Sequence, residues 1–160
     1  MAKEKEPVTP AVRLLRAEHV PFTGHSYSYE EKGGTAVSSR ELGVDEHCVI
    51  KTLIMEDDCK KPLVVLMHGD RQVSTRELAR VIGVKNVSPC APDVAQKHSG
   101  YQVGGTSPFG TRRGMPVYVE ETILDLPRIY INGGKRGFLV AIDPREAVRL
   151  LKPIPVRVAI

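Results

Sequence analysis

A mixed α/β (α+β) domain, with a mixed and largely antiparallel sheet surrounded by helices, is predicted by three features of the sequence. Strand-like and helix-like segments are interspersed along the chain; several strand pairs are joined by hairpins rather than helical crossovers; and proline and glycine punctuate the segments at capping positions. A doubly wound nucleotide fold is disfavoured by the same hairpins. At 160 residues, with 41% hydrophobic and 26% charged residues, the chain has the size and composition of one soluble globular unit.

Residues 1–8 are polar and read as a flexible N-terminus, leaving 9–160 as a single domain. Thr9 and Pro10 supply an N-cap and a first helical residue for a helix to about His19, with Val12, Leu15 and His19 on one face and Pro21 beyond its end. His25–Tyr29 alternates as a strand with Tyr27 and Tyr29 on one side, and Gly33 and Gly34 break it. Thr35 is read as the cap of a short helix to Leu42, closed by Gly43. Cys48–Met55 reads as a buried strand with two polar exceptions, Lys51 and Thr52. The polar tip 56–61 then returns the chain into an antiparallel partner, Leu63–His68.

Ser74 caps a helix through Ile82, closed by Gly83; a short strand is expected over Val84–Val87 and a helix over Pro92–His98. Tyr101–Gly110 holds too many glycines for an element interior and is read as a shaped loop. Strands are expected over Met115–Val119, Arg128–Asn132 and Phe138–Ile142, the last two joined by the Gly133-Gly134-Lys135-Arg136-Gly137 turn. Asp143 and Pro144 open a final helix to about Leu151, and 152–160 is expected to be a tail.

Several function classes fall away on composition. No apolar run is long enough to cross a bilayer and the start lacks a secretory apolar stretch, so a cytoplasmic protein without membrane contact is expected. Cys48, Cys59 and Cys90 form no CxxC pair, and the histidines show no HExxH spacing, so no metal site is expected. Neither a Walker phosphate loop, a GxGxxG fingerprint nor a GxSxG elbow is present. The net charge of +4 permits a polyanionic partner, and the cations Arg112, Arg113, Lys135 and Arg136 gather beside glycine-rich loops, where backbone approaches phosphate closely. A monomer is expected because no long exposed apolar stripe is evident.

Lys51 is the leading candidate for chemistry. An ammonium set among Val, Ile and Leu either finds an anion or loses basicity, the alternative being a stem along the sheet with its head in water. Gly104 and Gly105 leave main-chain N–H groups open to a phosphate or an oxyanion, or else make an ordinary tight connection. The GGKRG hairpin grips a phosphodiester or serves only solubility. These residues alone stop at a mixed α/β domain with an anion-friendly cleft.

Several segments, in the same order, resemble the YbaK/EbsC family of transfer-RNA deacylases, related to the editing domain inserted in bacterial prolyl-tRNA synthetases. They are Thr9-Pro10-Ala11-Val12, His25-Ser26-Tyr27, Lys51-Thr52-Leu53, Ala95-Gln96, Gly100-Tyr101 with Val103-Gly104-Gly105, Ser107-Pro108 with Gly110, and Ile129-Tyr130 with Gly133-Gly134-Lys135-Arg136-Gly137. The resemblance implies that fold and a trans-editing hydrolase that deacylates mischarged tRNA carrying Cys, Ser, Thr or Ala, without cofactor. Its partners would be the aminoacyl-tRNA 3′ end and a synthetase such as prolyl-tRNA synthetase. Lys51 would hold the phosphate or ribose end, and Gly104 and Gly105 would offer backbone donors to the aminoacyl carbonyl. Tyr27, Thr52, Thr106, Ser107, Asn132 and Gly133 would bind the rest of the substrate, with Arg112, Arg113, Lys135 and Arg136 on tRNA phosphates. Asn132 stands where the family often has Ser, and Leu139 where some members carry an acidic residue. These departures keep open a noncatalytic tRNA- or synthetase-binding module; a hydrolase for another small ester rests on the glycine loops alone.

Overall fold

In the computed structural model, which describes residues 6–160, five helices surround one eight-stranded sheet. The helices are α1 (Pro10–Ala17), α2 (Gly34–Leu42), α3 (Thr75–Ile82), α4 (Pro92–Ser99) and α5 (Pro144–Leu151). The strands are β1 (Thr23–Ser26), β2 (Val49–Asp57), β3 (Pro62–His68), β4 (Val87–Pro89), β5 (Val117–Glu120), β6 (Ile129–Lys135), β7 (Phe138–Ile142) and β8 (Ile154–Val156). Their order is β1-β7-β6-β2-β3-β5-β8, with β4 alongside β2. Antiparallel pairings join β1 to β7, β6 to β7, and β2 to both β3 and β4, while β2–β6, β3–β5 and β5–β8 are parallel.

The local signals act as the side-chain chemistry dictates. Thr9 Oγ1 accepts from the Val12 N–H at 3.0 Å, Ser74 Oγ from the Glu77 N–H at 3.2 Å, and Asp143 Oδ1 from the Arg145 N–H at 2.9 Å, each satisfying a donor that a helix start leaves open. Gly43 and Gly83 take the left-handed conformation that ends α2 and α3. β3 is apolar from Leu63 to Met67 because both its faces are covered. Val64 and Leu66 join the core packed with α1, Tyr101 and Phe109, while Leu63, Val65 and Met67 join a second core with Leu78 and Ala79 of α3.

Several expectations are corrected. The first helix ends at Ala17, and His19 lies beyond it with φ 56°, off the face of Val12 and Leu15. Tyr27 and Tyr29 follow β1 rather than belonging to it. Thr35 does not cap α2: it lies inside the helix, its hydroxyl donating to Glu46 Oε2 at 2.8 Å and to the Gly69 carbonyl at 3.1 Å. β4 falls later than Val84–Val87, β5 starts later than Met115, and β6 runs past Asn132 through a bulge. The expected tail contains β8, which adds to β5; Glu120 Oε1, buried, then accepts from the Val158 and Ala159 N–H groups at 2.6 and 3.0 Å. The N-terminal expectation falls largely on residues 1–5, outside the described residues.

Candidate functional site

The site is built on an interruption in strand pairing. β2 pairs with β3 from Ile50 to Glu56, but on its other edge β6 covers only Val49 and Ile50, and β4 only Met55–Asp57. Residues 51–54 are thereby left without a neighbouring strand on that edge. β6 departs because Asn132 Oδ1 accepts from the Gly134 and Lys135 N–H groups at 2.7 and 3.2 Å, turning the backbone into its bulge. A cavity of about 760 Å³ opens there, lined among others by Tyr27, Tyr29, Lys51, Thr52, Cys90, Val103, Gly104, Thr106, Asn132, Arg136 and Leu139.

Strand alternation sorts these side chains. Ile50 and Ile54 belong to the α1-side core, so Lys51, with Leu53 and Met55, projects to the opposite face. The parallel register of Val49 with Tyr130 and Ile50 with Ile131, carried on by one residue, sets Lys51 beside Asn132. Asn132 Nδ2 donates to the Gly104 carbonyl at 3.2 Å, so Lys51, Asn132 and Gly104 line one cavity in sequence. Lys51 is half-buried and makes no ion pair among the described residues. Burial pulls its ammonium below the ordinary lysine value, and the charges of Glu46 and Asp70 oppose that shift.

The tandem glycines divide their work. Gly104 lines the cavity at φ 92°, and a Cβ there would lie 2.6 Å from the Tyr29 hydroxyl. Its N–H has no partner among the described residues. Gly105 is corrected: its N–H already donates to the Gln102 carbonyl at 2.8 Å, and its Cα faces the GGKRG hairpin, where a Cβ would lie 2.7 Å from Arg136 N.

Ser107 and Gly133 are likewise corrected from substrate contacts to structural positions off the cavity. Ser107 is fully buried with its Oγ accepting from the Phe109 N–H at 3.1 Å, and Gly133 is buried against the Phe138 ring with its carbonyl held by Thr9 Oγ1 at 2.5 Å. Thr106 lines the cavity, its hydroxyl reaching toward the Gln102 carbonyl at 3.5 Å. Tyr27 is anchored through its N–H on the Gly137 carbonyl at 2.9 Å, and burial raises its phenol above the usual value.

The cations separate too. Arg136 lies over the Tyr29 ring at 5.0 Å, donates through Nε to the Val103 carbonyl at 2.9 Å and lines the cavity. Lys135 is exposed on the turn, and Arg112 and Arg113 are exposed on the segment after the glycine loop, all three off the cavity wall. Tyr29 and Cys90 were not singled out as site residues. Tyr29 carried a signal, its alternation with Tyr27, whereas nothing in its local sequence marks Cys90.

Two groups bring together side chains that ligate metals elsewhere: His47, His68 and Asp70, and Glu56, Cys90 and His98. In the first, the imidazoles are stacked 3.7 Å apart at 7°, so their in-plane lone pairs run side by side rather than converging. His68 also spends both nitrogens, at 2.8 Å on the His47 carbonyl and at 2.7 Å on Thr122 Oγ1. In the second, the Arg113 guanidinium, which only donates, sits 3.0 Å from His98 Nδ1, so His98 Nε2 carries the proton and donates to Glu56 at 2.9 Å. That imidazole keeps no free lone pair, and burial together with Glu56 pushes the Cys90 thiol up to about 11.

A mixed sheet with an open edge thus brings a half-buried lysine and a glycine turn to one cavity. The chain belongs to the aminoacyl-tRNA editing domain family, which it matches over residues 30–150. It is 28% identical over 152 residues, covering 94% of this chain and 93% of its relative, to an Enterococcus faecalis protein provisionally named Cys-tRNA(Pro)/Cys-tRNA(Cys) deacylase EbsC. It is also 30% identical over 110 residues to the proline–tRNA ligase of Thermodesulfovibrio yellowstonii, covering 69% of this chain and 18% of that enzyme. The fold superposes with a TM-score of 0.81, at 18% identity, on a crystal structure described provisionally as a trans-editing enzyme for prolyl tRNA synthetase, over 95% of this chain and 98% of that one. No helix among the described residues is long and apolar enough to cross a membrane.

Proposed function

We propose that the protein is a trans-acting aminoacyl-tRNA deacylase for small amino acids of the Cys, Ser, Thr and Ala class. The observation that carries this reading is Lys51, a half-buried cation without an ion-pair partner, sharing its cavity with the unpaired N–H of Gly104. Lys51 holds the terminal phosphate or ribose, and the Gly104 N–H points at the developing oxyanion. Water adds to the ester carbonyl, the bond to the ribose oxygen breaks, and that oxygen takes a proton, releasing free amino acid and an intact tRNA 3′ hydroxyl. No protein nucleophile enters the scheme. Tyr27, Thr52 and Thr106 contact the substrate, whereas Asn132 acts through Gly104, which it holds. Arg136 at the rim, with Lys135, Arg112 and Arg113 further out, meets tRNA phosphates.

The volume suits the end of a nucleotide chain with a short side chain, and selection within the class rests on a methyl or hydroxyl, worth about 1–3 kcal/mol. Cys leads because the Enterococcus relative is named for Cys-tRNA. Leu139, apolar on the cavity wall, fits such small side chains. The test is a panel of tRNAs charged with Cys, Ser, Thr, Ala and Pro, each followed with and without protein. Accelerated ester loss for at least one small amino acid is expected. Salt-sensitive tRNA binding with no turnover would replace this reading by the noncatalytic module.

A further inference from the structure

Within the cavity, Thr52 stands apart from its neighbours. The Gly69 N–H donates to the Val49 carbonyl at 2.7 Å and the Asp57 N–H to the Lys61 carbonyl at 3.0 Å, which makes the odd-numbered residues of β2 the ones that bond β3. The Thr52 N–H and C=O therefore point to the opposite edge. Two strands stop short of them there, for different reasons. The β6 ladder ends at Ile50 and Ile131, and the Gly134 N–H that a further rung requires is held by Asn132 Oδ1 at 2.7 Å. The register of β4, carried on, would place Pro92 opposite Thr52, and proline has no N–H to give. Thr52 Oγ1 is also buried without a partner among the described residues. Main-chain donors and acceptors inside a protein are nearly always paired, so an unpaired rung on a cavity wall marks where a ligand supplies the missing partners.

We propose that this rung receives the α-ammonium and carbonyl of the aminoacyl group, which adds to β2 as a strand one residue long. The ammonium donates to the Thr52 carbonyl and the ester carbonyl accepts from the Thr52 N–H, the reciprocal pair that two opposed antiparallel residues exchange. This inference rests on the deacylase reading and deepens it. It assigns Thr52, rather than Gly105, as the second main-chain donor beside Gly104, and it makes a free α-amine a condition of efficient turnover.

The experiment compares the aminoacyl-tRNA hydrolysed fastest with its α-hydroxy isostere, obtained by deamination, each rate divided by its spontaneous hydrolysis. The acceleration of the α-hydroxy ester is expected to be lower by about tenfold or more, because a charge-assisted hydrogen bond is lost. In parallel, the full chain with Thr52 replaced by its α-hydroxy acid through nonsense suppression loses the Thr52 N–H and keeps its side chain, while the Lys51 carbonyl, which faces β3, becomes a weaker acceptor. Its kcat should fall about tenfold. Equal acceleration of the two esters overturns the ammonium contact, and unchanged kcat in the backbone ester overturns the carbonyl contact. If no aminoacyl-tRNA is hydrolysed faster than in buffer, the deacylase reading fails first and the inference falls with it.

Discussion

Gly105→Ala perturbs the seam between the glycine loop and the GGKRG hairpin from a position that does not itself line the cavity. The added Cβ would lie 2.7 Å from Arg136 N and 2.9 Å from the Lys135 carbonyl carbon, and both are main-chain atoms that no side-chain rotation can clear. Ordinary contact lies near 3.5 Å, so loop and hairpin must separate by roughly 0.7 Å. The 3.2 Å bond from Asn132 to the Gly104 carbonyl spans that seam and carries the displacement to the Gly104 N–H. Overpacking of this kind costs about 1–3 kcal/mol, which lowers the melting temperature by about 2–10 °C for a chain of this length. A sub-ångström misplacement of an oxyanion donor lowers kcat by about tenfold to a hundredfold. Thermal denaturation and single-turnover deacylation read the two effects, with Gly114→Ala, whose Cβ would meet nothing within 4 Å, as control. Wild-type melting and kcat in Gly105→Ala would refute the argument that the seam sets the Gly104 donor.

Other outcomes follow from the same geometry. Activity that needs the Lys51 ammonium is full below its folded-state pKa and lost as pH rises through it; since burial lowers that pKa, the alkaline limb of the rate profile, corrected for spontaneous hydrolysis, should fall below the ordinary lysine range. Glu46→Gln removes a charge that opposes the shift, so it should move this limb lower still; a limb that moves up would contradict the assignment. Ser107→Ala leaves the Phe109 N–H without its acceptor, so a stability loss of about 1–3 kcal/mol is expected in denaturant titrations with no change in amino-acid preference, whereas a changed preference would return Ser107 to the substrate. Glu120→Ala strips two N–H groups of β8's clip and should cost about 2–4 kcal/mol, with hydrogen exchange quickening first at Val158 and Ala159; protection that stays native would refute the clip.

What the sequence made legible follows the range of the interactions. Thr9-Pro10, Ser74 and Asp143-Pro144 act within one helical turn, and each starts a helix where the residues say it should. β8 was hidden because Ile154-Pro155-Val156 is a strand only against the edge of β5 and under the Glu120 carboxylate, partners 34 or more residues away. Thr35 has the chemistry of a cap, but Glu46 and Gly69, brought in by the fold, claim its hydroxyl. At the cavity, the motifs fall on segments that the fold brings together, without telling which wall each residue serves. Lys51, Thr52, Tyr27, Gly104 and Thr106 meet on the cavity, while Gly105, Ser107 and Gly133 hold the loops that shape it. The open rung at Thr52 depends on Pro92, at the start of α4, and Asn132, in β6, both failing it, a coincidence no local pattern contains.

The central claim turns on the side chain of Lys51. Single-turnover hydrolysis of the best small aminoacyl-tRNA by Lys51→Ala, at saturating protein and with folding checked by thermal melting, measures it most directly. A rate reduced at least a hundredfold in a protein that melts normally is the predicted result, and a folded variant that turns over like the parent would contradict the account.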